Sequence, residues 1–335
     1  MPSRRAAAFA HPNIALIKYW GDIDSDLHIP ANGSISMNLA GLTTRTTVSF
    51  DTSLSQDQFI LNGEPTTGKA LERVSTFLNR VRLLAGMTTF ANVESQNNFP
   101  AGVGVASSAS GFAALSLAAT HAAGLELDEK DLSRLARTGS GSACRSIPGG
   151  FVEWHAGRDN HDSYAYSIAP PDYWDVVDCI ALVSRDEKAI NSNRGHVLAA
   201  TSMLQAARLA DSPRRLSLCR NAILGRDFDA LTDMAELDSN LMHAIMITSK
   251  PPLLYWQPGT LAIMHAVHGW RKVGIPVCFT IDAGPNVHVL CLGGQEDKII
   301  EWLQQLPGVI QVLTAHPGGP AALEQTHLNQ AGTIF

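Results

Sequence analysis

The stretch 97–111, NNFPAGVGVASSASG, sets the frame for reading the rest of the chain. Gly102 and Gly104 allow the backbone to come close to a ligand, and Ser107 and Ser108 open a run of small residues. That run, rich in Ala, Ser and Leu, predicts a helix over 107–123 that Gly124 ends and that can lie close against a sheet. A helix N-terminus presents unpaired N–H groups and partial positive charge, which suits a phosphate. A glycine turn with Ser107 or Ser108 as a plain helix cap would use the same residues. No Gly-Lys-Ser/Thr follows, so this is not the P-loop pattern.

Working outward, TTRTTVSF at 43–50 is β-branched and alternating, which predicts a strand. A second strand is expected at 57–61 before the turn Asn62-Gly63. Residues 69–85 carry Leu71, Val74, Phe77, Leu78 and Val81 on one helical face. A short helix is expected at 131–138. The second half opens on the continuous apolar run 176–183, a buried strand. Helices follow at 201–210, 214–223, within 227–245, at 260–273 and at 298–306. Strands at 277–281 and 287–292 flank Gly284-Pro285 as a hairpin. The class is therefore α+β, with helices packed on largely antiparallel sheets. The polar stretch 184–194 divides the chain into domains 1–187 and 188–335. At the start, Arg4 and Arg5 precede an apolar run too short for a signal peptide, which reads as the lead-in to a first strand.

With 335 residues, 45% hydrophobic and 17% charged, the chain can bury a sizeable core. A net charge of −6 argues against nucleic acid as a partner, and no apolar run approaches the ~20 residues of a membrane span. The five cysteines show no C-x-x-C spacing and read as buried free thiols of a reducing cytoplasm. There is no H-E-x-x-H and no zinc-ligand spacing.

Three further segments carry chemistry. TGSGSACRS at 138–146 places Ser140 and Ser142 before Arg145, whose guanidinium fork can grip a carboxylate or phosphate. TIDAGPN at 280–286 puts Asp282 between an apolar strand and a tight turn, as general base, magnesium ligand or turn-capping residue. NIALIKYWGD at 13–22 runs an apolar strand into Lys18 and Tyr19, which can address an anion or simply reach solvent.

Taken together, these four segments resemble the diphosphomevalonate decarboxylases of the galactokinase–homoserine kinase–mevalonate kinase superfamily, from about Phe9 to about Leu292. The resemblance implies a two-domain α/β sandwich with the active site in the cleft between domains, and ATP and Mg²⁺ as cofactors. Ser95, Pro100, Gly102, Gly104, Ala106, Ser107, Ser108 and Lys188 would face ATP, with Ala101 where the family has threonine. Ser107 and Asp282 would serve the metal. Asp282 would act on the C3 hydroxyl, with Lys18 and Ser108 beside it, and Arg145 would hold the substrate carboxylate. Lys18, Tyr19, Asp22, Ser140, Ser142, Ser192 and Arg194 would surround the phosphate end. The family pattern K-Y-W-G-K ends here in Asp22, and a family arginine is replaced by Asn193, with Arg194 one residue on. Like charges ~5 Å apart at an effective dielectric of ~20 repel by roughly 3 kcal/mol. The expectation is therefore mevalonate 5-phosphate as substrate, giving isopentenyl phosphate, with the diphosphate as the alternative. A superfamily kinase without decarboxylation, or a non-catalytic metabolite-binding protein, are the other readings. Arg145 argues against the first, because a simple kinase has no need of a carboxylate grip, and the joint presence of Asp282, Arg145 and the paired serines argues against the second. A dinucleotide oxidoreductase lacks its G-x-G-x-x-G setting. The resemblance also implies a cytoplasmic homodimer.

Overall fold

Alternating burial along Arg5–Ala10, Thr44–Phe50 and Ala91–Asn97 builds the centre of a six-stranded sheet. The computed structural model describes residues 5–99, 107–186 and 192–324. The sheet runs Ala322–Leu323, Arg5–Ala10, Thr44–Phe50, Ala91–Asn97, Gln58–Leu61, Glu64–Pro65, antiparallel except where Gln58–Leu61 lies parallel to Ala91–Asn97. The small-residue helix Ser107–Ala122 packs on strands Arg5–Ala10 and Thr44–Phe50, and helix Lys69–Ala85 turns Val74, Phe77, Leu78 and Val81 into the same core. The lead-in expected at the N-terminus is thus itself a strand, because Ala6, Ala8 and Ala10 alternate into that core.

A second sheet orders Tyr164–Ala169, Phe151–His155, Ser34–Asn38, Asn13–Ile17. A third orders Val277–Thr280, Val287–Leu292, Val176–Leu182, Gln311–Ala315, with the expected hairpin in place. The division expected at 187/188 falls in residues outside those described, and strand Val176–Leu182 hydrogen-bonds within the third sheet. Helices Gln205–Gly225 and Phe228–Thr248 pack on each other and on strand Asn13–Ile17, and the second of them also packs on Val277–Thr280. One continuous core therefore links the second and third sheets, while Pro258–Lys272 and Glu296–Gln304 cover the far face of the third.

The helices expected at 201–210 and 214–223 are one helix, Gln205–Gly225, running through Pro213. Proline removes the donor for Leu209 O four residues back. Ser212 Oγ donates to that carbonyl at 2.9 Å, and the break is healed. Residues 201–204 form the turn before it, and a separate helix spans Ser192–Ala199. All five cysteines are free and buried, as expected, and burial pushes the Cys144 thiol up to about 12.

Candidate active site

Strand Asn13–Ile17 slips register against Ser34–Asn38 between Ala15 and Ile17. Such an irregularity re-aims the chain that follows it. Lys18 consequently points into the protein, 1% exposed rather than in solvent. Its Nζ donates to Asp282 Oδ1 at 2.6 Å and to Ala15 O at 2.7 Å. Ala15 O also accepts from Thr280 Oγ1 at 3.2 Å, which ties the end of one sheet to the end of another. Asp282 lies just past strand Val277–Thr280 and keeps 29% side-chain exposure. Burial pulls its carboxyl upward, but the charges of Lys18, His288 and Arg145 outweigh it and hold the group below the usual carboxylate range. Burial lowers Lys18 against the pull of Asp282. Asp282 is therefore ionised at neutral pH, with one of its oxygens held by Lys18 Nζ.

Arg145 sits in the 3₁₀ turn Gly141–Ser146, not in a loose loop. Its Nη1 donates to Ser34 Oγ at 2.7 Å, and its Nε and Nη2 to Asn13 Oδ1 at 3.2 and 3.0 Å. Asn13 in turn donates to Ser146 Oγ and Ser142 O. The guanidinium is 4% exposed and its hydrogen-bond partners among the described residues are neutral, so its charge remains available to a carboxylate. Ser140 Oγ meets Ser108 Oγ at 3.2 Å, joining this turn to the start of helix Ser107–Ala122. Gly141 is required here: a Cβ would lie 2.6 Å from the Tyr19 ring.

Tyr19 donates its phenol to Asp22, on the short strand Asp22–Asp24. Burial raises the Asp22 carboxyl to about 6, in spite of that bond. Ser192 and Arg194 begin helix Ser192–Ala199, Ser192 half-buried and Arg194 exposed. A cavity of about 210 Å³ opens beside Ser107 and Ser108, with Phe59, Leu61, Val74 and Val93 as apolar walls and Thr44, Ser95 and Asn97 as polar ones. Thr46 Oγ1 and Ser95 Oγ pair at 2.8 Å within it. Such a slot takes a flat group with hydrogen-bonding edges. Pro100, Gly102, Gly104, Ala106 and Lys188 lie outside the described residues. Among the described residues no three His, Cys, Asp or Glu converge as metal ligands.

Several contributors were not singled out by reading the sequence. Asp238, fully buried, accepts from Lys18 N at 2.5 Å and Arg215 Nε at 2.7 Å, with Arg208 at 3.8 Å. Arg208 donates to Lys18 O. His196 and His243 pack behind the site. Burial, then His28, Arg208 and Arg145, hold His196 down at about 3; burial and then Lys18 hold His243 at about 4. Asn13, Ser146 and Thr280 lay inside quoted motifs; Asp238, Arg208, Arg215, His196 and His243 gave no local signal.

These two histidines predict acid lability. In the unfolded chain they titrate near 6.5. Below that pH the unfolded chain binds protons the folded chain refuses, so stability is full above about 6.5 and falls with pH toward 4. The slope approaches about 1.4 kcal/mol per pH unit per histidine. Asp22 works the other way, gaining a folded-state proton as pH falls through 6, and offsets part of this. The urea midpoint should be lower at pH 5 than at pH 7. An equal or higher midpoint at pH 5 contradicts the assignment.

Residues 10–165 match the family model for the diphosphomevalonate decarboxylase-like N-terminal domain, and residues 179–329 that for the mevalonate 5-diphosphate decarboxylase C-terminal domain. The chain is 37% identical over 326 residues to diphosphomevalonate decarboxylase mvd1 of Aspergillus fumigatus, covering 91% of this chain and 81% of that protein. It is 34% identical over 299 residues to phosphomevalonate decarboxylase of Haloferax volcanii, covering 89% and 91%. Most of the relatives carry the diphosphate name. A solved complex of MDDEF with MVAPP, AMPPCP and magnesium superposes with a TM-score of 0.91 at 41% identity, over 96% of this chain and 99% of that one.

Proposed function

We propose that this chain, which belongs to the diphosphomevalonate decarboxylase family, removes carbon dioxide from a 5-phosphorylated mevalonate at the expense of ATP. The observation that carries the reading is that Lys18–Asp282 lies within the electrostatic reach of Arg145, from three distant segments, and that the turn of Arg145 joins Ser108 at the cavity through Ser140. ATP would place its base in the apolar slot and its phosphates toward Ser107 and Ser108. Magnesium keeps several waters and favours phosphate oxygens. That fits a site whose own contribution is the Ser107 hydroxyl and an Asp282 already committed through one oxygen to Lys18. Bound there, the ion supplies positive charge to the phosphate oxygens.

Hydroxide is a poor leaving group, so the C3 hydroxyl must first become a phosphate ester. Asp282 takes the hydroxyl proton as the oxygen attacks the γ-phosphorus, and the bond to ADP breaks. Lys18 holds the carboxylate in place for that transfer. Phosphate then leaves C3 with its electron pair. The C1–C2 bond supplies the electrons of the new double bond, and carbon dioxide departs. Arg145 fixes the carboxylate so that this bond lies along the emptying orbital. A kinase that stops at the ester has no use for that grip.

By kinship the diphosphate is the better-supported substrate: the fungal relative and the ligand named in the solved complex both point to it. One specific observation favours the monophosphate. Asp22 occupies the family's lysine position and engages the Tyr19 hydroxyl, so a second phosphate there would meet an anion and lose a donor. The archaeal relative's name agrees. The two readings separate on Asp22→Lys. If Asp22 excludes the second phosphate, the variant should raise kcat/KM for the diphosphate relative to the monophosphate by about tenfold or more. An unchanged ratio leaves the diphosphate reading standing.

The same proposal carries a division near residue 187, a cytoplasmic location and a homodimer. Among the described residues no helix is long and apolar enough to cross a membrane. Light scattering would test the dimer.

A further inference from the structure

His196 belongs to none of the four motifs, yet it touches the segment that follows Lys18 at three points. Its Nδ1 accepts from Gly21 N at 3.0 Å. Because a backbone N–H donates to Nδ1, the ring is neutral with its proton on Nε2. One face lies on the Tyr19 ring at 4.0 Å between centroids, inclined by 31°. Trp20 lies 4.6 Å away, inclined by 40°. Tyr19 is closed on its other side by Trp154, edge-on at 4.7 Å. The preceding residue, Gly195, lets helix Ser192–Ala199 approach this closely, since a Cβ there would come within 2.4 Å of the Trp20 ring. The imidazole is 8% exposed.

We propose that His196 is a positioning residue for the substrate's phosphate end: it packs on the Tyr19 and Trp20 rings, takes the Gly21 amide on its Nδ1, and so fixes where the Tyr19 hydroxyl and Asp22 stand. The inference rests on the reading that the substrate phosphate binds beside Tyr19. Tyr19 carries its hydroxyl at the tip of a ring that rotates about its side-chain bonds, so rotation would carry the hydroxyl away from Asp22. The stack with Trp154 and His196 removes that freedom before substrate arrives, which lowers the ordering cost of binding. His196 holds neither the reacting hydroxyl nor Asp282, so its loss should weaken phosphate-end binding and leave turnover intact.

The test is steady-state kinetics of His196→Ala with whichever phosphorylated mevalonate the native enzyme turns over. KM for that substrate should rise about tenfold, with kcat and KM for ATP within twofold of native. His196→Asn, which keeps an acceptor near Gly21 N, should recover part of the loss. His196→Phe keeps a flat ring, somewhat larger than imidazole, and removes the acceptor; it serves if the alanine variant does not fold, with KM expected to rise at least about threefold. A folded His196→Ala or His196→Phe enzyme whose KM stays within twofold of native overturns the proposal, as does a fall confined to kcat. Tyr19→Phe assayed alongside separates the two claims. If it too leaves KM unchanged, the placement of the phosphate beside Tyr19 has failed; if it raises KM while the His196 variants do not, only the positioning role has.

Discussion

Asp282→Asn should lower kcat by about 10²–10⁴-fold while leaving KM for the phosphorylated substrate within a fewfold of native. The reason lies in the geometry around one carboxylate. Lys18 Nζ takes Oδ1 at 2.6 Å, so the group is ionised and oriented before substrate arrives. Asparagine is nearly isosteric and still accepts from Lys18, so the architecture survives. It cannot take a proton, and the C3 hydroxyl loses its base. The variant also leaves Lys18 buried without its counter-charge, which burial already disfavours. A loss of stability should accompany the loss of rate, and a thermal unfolding scan separates the two. Near-native turnover by a folded Asp282→Asn enzyme would remove Asp282 from the mechanism.

The largest effect on stability should come from Asp238→Ala. Asp238 is completely buried, accepts from Lys18 N and Arg215 Nε, and stands 3.8 Å from Arg208. Removing one partner of a buried charged network costs more than the network contributes, because the remaining charges stay out of water. Arg215 keeps Asp211 at 2.7 Å, but among the described residues Arg208 retains only neutral carbonyl and amide partners. A cost of about 3–5 kcal/mol is expected, read as a fall in the urea midpoint at an unchanged slope. Since the Lys18 amide loses its acceptor too, activity should fall beyond the fraction unfolded. A loss under about 1 kcal/mol would mean that the arginines find water and that the buried Asp238 network adds little to stability.

Much of this was legible in local pattern. Helix Lys69–Ala85 follows from five apolar residues on one face, and the hairpin Val277–Thr280/Val287–Leu292 from two apolar runs around Gly284-Pro285. Lys18, Arg145 and Asp282 stand out because each breaks an apolar or small-residue run with a charge. What pattern does not carry is distance. Asn13 and Ser34, which hold Arg145, are 132 and 111 residues away from it in sequence. Asp238 lies 220 residues from Lys18. His196 is one of 12 histidines and gains its meaning only from the rings folded around it. Pro213 reads as a helix break until Ser212 is seen to satisfy Leu209 O. Asp22 is an intermediate case. Its charge stands out in sequence as an acid where the resemblance leads one to expect a lysine, but its bond to Tyr19 is visible only in three dimensions.

The most direct measurement supplies ATP and magnesium with mevalonate 5-phosphate or its diphosphate, each labelled in the carboxyl carbon, and counts carbon dioxide against ADP. One labelled carbon dioxide and one inorganic phosphate are expected for each ADP formed, with at least one of the two substrates. ADP formed with the label retained in a phosphorylated acid, for both substrates, would contradict this and make the protein a kinase.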